Sequence, residues 1–221
     1  MRYLPLITDA YLVAANPDNA VAMKAYMRNQ FEYLGITAPE RRLINKGLKA
    51  TYGLPAIGDM PVLIKALWKK PEREYQYAAI DFMQMLNKEW RAEDIHLFEY
   101  MIVHKSWWDS VDAIVSCLAG PWLKKFGEEW PAITNRWINS ENMWLQRAAI
   151  IHQNAYKQHT NEQLLYRYVK QCAGSKEFFI QKAIGWALRE YAKTNPDSVR
   201  KFADSHTLAP LSRREALRRI D

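Results

Sequence analysis

Tyr77, Asp112, Arg147 and Lys182 stand 35 residues apart, and each opens a short run of small or apolar residues: Tyr77-Ala-Ala-Ile, Asp112-Ala-Ile-Val, Arg147-Ala-Ala-Ile and Lys182-Ala-Ile-Gly. A recurrence of this length constrains the fold more than any local propensity does. A unit of that size cannot bury its apolar face alone, so units stack side by side and equivalent positions fall in a row. Repeat starts can be placed near Pro39, Pro71, Ser106, Ser140, Ser175 and Pro210, at gaps of 32, 35, 34, 35 and 35 residues. Each gap holds two antiparallel helices and short connections.

Helix punctuation supports this reading. Asn16-Pro17 is an N-cap followed by proline at the first helical position. Thr37-Ala38-Pro39-Glu40 has the form of a capping box. Asp59, Pro71, Ser106, Pro121, Asn139 with Ser140, Thr160 and Ser175 mark further starts, and Gly35, Gly53, Gly120 and Gly174 are expected stops. Strand signals do not recur. The tetratricopeptide consensus is missing from these units, which favours an all-α, HEAT-like helical-repeat solenoid (an α-α superhelix) with a concave basic groove. No Ser/Gly-rich linker interrupts the 221 residues, so residues 1–221 read as one domain.

Thirty-one Lys and Arg against 24 Asp and Glu give a net charge of +7. That balance favours a polyanionic partner, with nucleic acid first and an acidic membrane second. Cys117 and Cys172 lack CxxC spacing and read as buried thiols of a reducing compartment. The five histidines show no spacing of the HExxH kind, so no required metal is expected. No signal peptide and no apolar run of membrane-spanning length is present, which points to a cytoplasmic protein.

Two helices carry candidate chemistry. In the helix after Ser175, Ile180, Ile184, Ala187 and Tyr191 form an apolar stripe, while Lys182, Trp186, Arg189 and Lys193 share the opposite face. Three cations around a tryptophan suit a phosphate-lined surface. In the helix after Ser106, Trp107, Val111, Ile114 and Leu118 form the core face, and Asp109 completes a capping box with Ser106. Asp112 lies about 120° from the middle of that face. Trp108 is one turn before it, close enough to touch. Arg147, on a partly apolar helix face, needs a partner, either Asp112 or a phosphate. Arg213 and Arg214, near the start of the last helix, would flank a duplex.

These residues also carry a resemblance. The runs Trp107-Trp108-Asp109-Ser110-Val111-Asp112, Trp144-Leu145-Gln146-Arg147-Ala148-Ala149 and Glu177 through Tyr191 resemble the AlkD family of DNA alkylation-repair glycosylases. So do Tyr26-Met27-Arg28-Asn29-Gln30-Phe31, Gly35-Ile36, Pro39-Glu40-Arg41-Arg42 and Leu208 through Glu215. The resemblance covers nearly the whole chain. It implies a HEAT-like solenoid that removes N3- and N7-alkylated purines, such as 3-methyladenine and 7-methylguanine, from double-stranded DNA and needs no metal or organic cofactor. It further implies that Asp112 is the catalytic carboxylate, that Trp108 and Trp186 wall the lesion's deoxyribose, that Arg147 contacts the DNA backbone beside them and that Tyr26 touches the duplex. A polar residue follows Gly-Ile in some relatives, and here it is Thr37, after Gly35-Ile36. A monomer is expected. The competing reading is a non-catalytic helical-repeat module that binds DNA or a protein.

Overall fold

The computed structural model describes residues 2–127 and 130–220. Its helices are α1 (Tyr3–Val13), α2 (Pro17–Tyr26), α3 (Ala38–Tyr52), α4 (Met60–Lys69), α5 (Arg73–Met85), α6 (Asp94–Val103), α7 (Trp108–Ile114), α8 (Gly120–Lys125), α9 (Trp130–Ile138), α10 (Met143–Ile151), α11 (Glu162–Cys172), α12 (Phe178–Ala192), α13 (Pro196–Ser205) and α14 (Pro210–Leu217). The fold is all-α. None of the described helices is long and apolar enough to cross a membrane. The chain divides into two compact units, residues 1–97 and 98–221, with the boundary inside α6.

Hydrogen bonds carry the repeat. Within the first unit the Tyr11 hydroxyl donates to Asn45 Oδ1, 34 residues on, and Asn45 Nδ2 donates to Asp81, 36 residues further. Within the second, Tyr156 donates to the carbonyl of Gly120, Tyr168 to Thr134 Oγ1, and Ser198 to Glu162, at separations of 36, 34 and 36 residues. Side chains one repeat apart therefore meet, as stacking of like units requires. Consecutive repeats also share local detail. Gln146 Nε2 donates to the Ser140 carbonyl and Gln181 Nε2 to the Ser175 carbonyl, while Ser140 Oγ and Ser175 Oγ accept from the backbone two residues on.

The helix starts follow their capping chemistry with small displacements. Asn16 Oδ1 accepts from the Asn19 N–H ahead of Pro17. The Glu40 carboxylate accepts from the Thr37 N–H and hydroxyl. The repeat start expected near Ser140 shifts: Asn142, not Asn139 or Ser140, caps α10, accepting from the Trp144 N–H at 2.9 Å. Asn161 rather than Thr160 caps α11. Only Gly53 of the expected glycine stops caps a helix with positive φ, at 79°. Gly35 sits in a loop at φ 86°, where a Cβ would lie 1.9 Å from the Asn16 carbonyl oxygen. That loop is held by the buried Glu74 carboxylate, which accepts from the N–H groups of Leu34, Gly35 and Ile36.

Gly120 does not stop a helix either. α7 continues through a π-helical segment, Val115–Ala119, into α8. Pro121 has no N–H and its ring crowds the preceding turn. The local widening absorbs this, with the Gly120 N–H reaching back five residues to the Val115 carbonyl. A Cβ on Gly120 would come within 2.9 Å of the His152 carbonyl oxygen, so glycine permits the close approach here.

Candidate active site

α7 begins at Trp108, and Trp107 is its extended N-cap residue at φ −155°. The capping box expected from Ser106 and Asp109 is not formed, because the Ser106 hydroxyl donates backwards to the Ile102 carbonyl at 2.6 Å. Val111, Ile114 and Leu118 are fully buried, as the stripe predicts. Trp107 lies off that helix and is half-buried. Its ring packs 5.1 Å from Phe179 and 6.0 Å from Trp144, and its buried indole N–H finds no hydrogen-bond partner among the described residues.

Asp112 and Arg147 form a two-pronged ion pair. Arg147 Nε donates to Asp112 Oδ1 and Nη2 to Oδ2, each at 2.8 Å. The third prong, Nη1, donates to the Phe179 carbonyl at 2.6 Å. The Arg147 side chain is only 5% exposed and that of Asp112 19%. Of the two partners the sequence allows for Arg147, the structure supplies the carboxylate. Three guanidinium nitrogens donate inside the protein, so the arginine holds Asp112 in a fixed orientation. Burial pushes the Asp112 carboxyl above its ordinary value, the hydrogen bonds and charge of Arg147 pull it down, and Asp109 adds to the upward push.

A cleft of about 260 Å³ opens beside this pair, lined by Trp108, Arg147, Phe178, Phe179, Lys182, Trp186, Arg189 and Glu215. Trp108, Trp186 and Arg147 are thus brought together, as expected. Trp186 also borders a neighbouring cleft of about 350 Å³ that includes Ser116, Pro121 and Asn154. Phe178, Phe179 and Glu215 complete the lining, and helical periodicity does not mark them as site residues. Phe178 is the first residue of α12 and is 52% exposed, with its ring 5.3 Å from Phe179.

The cationic face of α12 is less open than its stripe suggests. α14 packs on it, and Glu215 pairs with two of its three cations: Lys182 Nζ lies 2.9 Å from Oε1, and Arg189 Nη1 bonds Oε2. Lys182 and, with it, Arg189 hold the Glu215 carboxyl below its ordinary value. The available signal was spacing, since Glu215 follows Lys182 by 33 residues, about one repeat.

The remaining expected cations lie elsewhere. Lys193 pairs with Glu190 and borders a separate cleft with Asn154, Lys157 and Tyr191. Arg213 bonds the Ala203 carbonyl and sits 2.7 Å from Asp204, tying α14 to α13. Arg214 is exposed and lies with Arg213, Leu217 and Arg218 in a shallow depression. Tyr26, the last residue of α2 in the first unit, is 72% exposed. Among the described residues no three His, Cys, Asp or Glu side chains gather to hold a metal ion.

The class these observations define is an all-helical repeat protein with a clamped aspartate beside an aromatic, cation-lined cleft. The comparisons carry it further: residues 8–220 match the DNA alkylation repair enzyme family, and the chain belongs to that family. It is 39% identical to a protein from Enterococcus faecalis described as a predicted DNA alkylation repair enzyme, whose structure superposes with a TM-score of 0.86 over 93% of this chain and 96% of that one. AlkD2 from Streptococcus mutans, at 17% identity and a TM-score of 0.62 over 80% of this chain and 88% of that one, shares the helical-repeat fold. Smu.31 from Streptococcus mutans UA159 is similar to the same degree, covering 80% of this chain and 91% of that one. Among curated proteins there is no match.

Proposed function

We propose that this chain is a DNA glycosylase that hydrolyses the N-glycosidic bond of N3- or N7-alkylated purines in duplex DNA and leaves an abasic site. The observation that carries the reading is Asp112, oriented by a two-pronged grip from Arg147 beside a cleft walled by Trp108 and Trp186.

The chemistry asks for little more. An alkylated purine of this kind is already cationic, so the C1′–N9 bond breaks with its electron pair passing to the base and no general acid is needed. Two-carboxylate glycosidases need their second group for leaving-group protonation. Positive charge develops on the sugar, and the fixed Asp112 carboxylate stabilises it without reorganising. Water adds to C1′, and the proton it sheds passes to solvent by way of the carboxylate. Tryptophan faces attract the same cationic sugar and base. Arg147 acts through Asp112: it fixes both carboxylate oxygens and favours the ionised form. Lys182, Arg189 and the exposed Arg214 supply phosphate contacts, and Tyr26 a further contact with the duplex. Because the cleft is small, excision proceeds with less base extrusion than in pocket-type glycosylases.

One observation favours a second reading, a DNA-binding module without chemistry: a buried Asp–Arg pair also serves to join two repeats. Release of 3-methyladenine or 7-methylguanine from alkylated duplex by the purified protein, in a chelator, separates the two. Release above the spontaneous rate supports the glycosylase, and binding without release supports the module.

A further inference from the structure

Glu215 is an unexpected group to find in a surface that binds a polyanion. Its side chain is 12% exposed, and its carboxylate is engaged on both oxygens by two cations of the cleft wall, Lys182 and Arg189. It did not arrive there by chance packing of a mobile side chain. α12 carries glycine at 185, and a Cβ at that position would lie 2.5 Å from Glu215 Cβ and 3.0 Å from the Ser212 carbonyl oxygen. Ser212 in turn donates to the Gln181 carbonyl at 2.9 Å. Gly185 and Ser212 thus let α14 sit directly against α12 and bring the carboxylate to a defined place between two side chains a little under two turns apart.

We propose that Glu215 is a positioning residue of the DNA-binding cleft: its carboxylate holds Lys182 and Arg189 side by side and, by cancelling one of their two charges, limits how strongly the site grips any DNA backbone. Local charge is then +1 rather than +2. Grip on undamaged duplex, which is the bulk of what a repair enzyme meets, is the quantity this restrains, because phosphate contacts are blind to the lesion. The inference rests on the proposed function only for DNA as the polyanion, and it concerns binding rather than base release.

The test is salt-dependent affinity of the full chain for an undamaged duplex and for the same duplex carrying one alkylated purine. Glu215→Gln keeps the shape of the side chain and frees one positive charge. The log–log salt slope should steepen by up to about 0.9, and affinity at 50 mM salt should rise roughly tenfold for both duplexes alike. Lys182→Gln should flatten the slope by a similar amount. The double variant, with local charge again +1, should return close to the wild-type slope. A Glu215→Gln protein that melts normally but shows an unchanged or flatter slope overturns the proposal. Should that variant fail to fold, the comparison of Lys182→Gln with the charge-restored double variant reads the same quantity, and equal slopes overturn it. Base release by the wild-type protein is scored on the same samples. Release with no slope change rejects the role of Glu215 alone, and a steepened slope without release rejects the glycosylase reading alone.

Discussion

Arg147 grips Asp112 across one repeat, with both carboxylate oxygens held at 2.8 Å and the third nitrogen of the guanidinium anchored on the Phe179 carbonyl. A fork-to-fork pair of this kind fixes orientation as well as charge. It couples three neighbouring helices, α7, α10 and α12, at the point where the cleft is built.

Removing the clamp should therefore do two separable things. Arg147→Ala leaves a largely buried carboxylate without its partner, at a cost of about 3–5 kcal/mol. It also lets burial raise the carboxyl further, so excision falls. The salt slope for duplex binding should stay near the wild-type value, because the guanidinium is occupied inside the protein. Melting temperature and salt-dependent affinity on one sample decide this. A slope flattened by about one unit would mean that Arg147 contacts a phosphate after all.

On the proposed mechanism the acid side of the pH profile for base release belongs to Asp112. Its carboxyl is raised above 3.8, chiefly by burial. The native state thus holds that proton more tightly than the unfolded chain. This group's contribution to stability is greatest below the unfolded value and is lost as pH rises through the window up to the folded value. On the proposed mechanism excision runs the other way, because it uses the ionised form. Single-turnover release, corrected for spontaneous depurination, should decline on acidification with a midpoint above 3.8. A midpoint at or below 3.8 contradicts the assignment.

The tryptophans should divide by role. Trp108→Ala and Trp186→Ala should each cut excision while circular dichroism keeps its helical signal, since both rings line the cleft. Trp107→Ala should act on stability, by roughly 2 kcal/mol for a half-buried ring that packs on Trp144 and Phe179. Comparable excision by wild type and Trp186→Ala would remove that ring from the site.

Gly185→Ala tests the seat of α14. The added methyl would meet Glu215 Cβ and the Ser212 carbonyl oxygen, backbone included, so it should cost about 1–3 kcal/mol. An unchanged melting temperature would show that α14 shifts freely on α12.

The sequence made the repeat legible because stacking puts like residues at like spacings. The 35-residue interval between Asp112 and Arg147 is the interval of their hydrogen bonds. Buried Ile180, Ile184 and Ala187 were legible for the same reason, periodicity on one helix. What periodicity does not encode was harder to read. Ser106 bonds backwards to Ile102, so α7 starts one residue later than a capping residue there would imply, and Trp107 leaves the helical stripe. The π-helical segment answers Pro121, whose surroundings read as a helix stop and start. Glu215 depends on how α14 lands on Gly185, a contact between helices that no single-helix pattern carries.

The central claim is that the Asp112 carboxylate stabilises the charge that develops on the sugar, and Asp112→Asn tests it most directly. The measurement is single-turnover release of 3-methyladenine or 7-methylguanine from an alkylated duplex, with duplex affinity determined on the same preparation. Losing one preorganised charge should slow release by roughly 10²-fold or more. Affinity should hold or tighten, because a negative charge has left a site for a polyanion. Release close to the wild-type rate from a folded, DNA-bound Asp112→Asn protein would contradict the account.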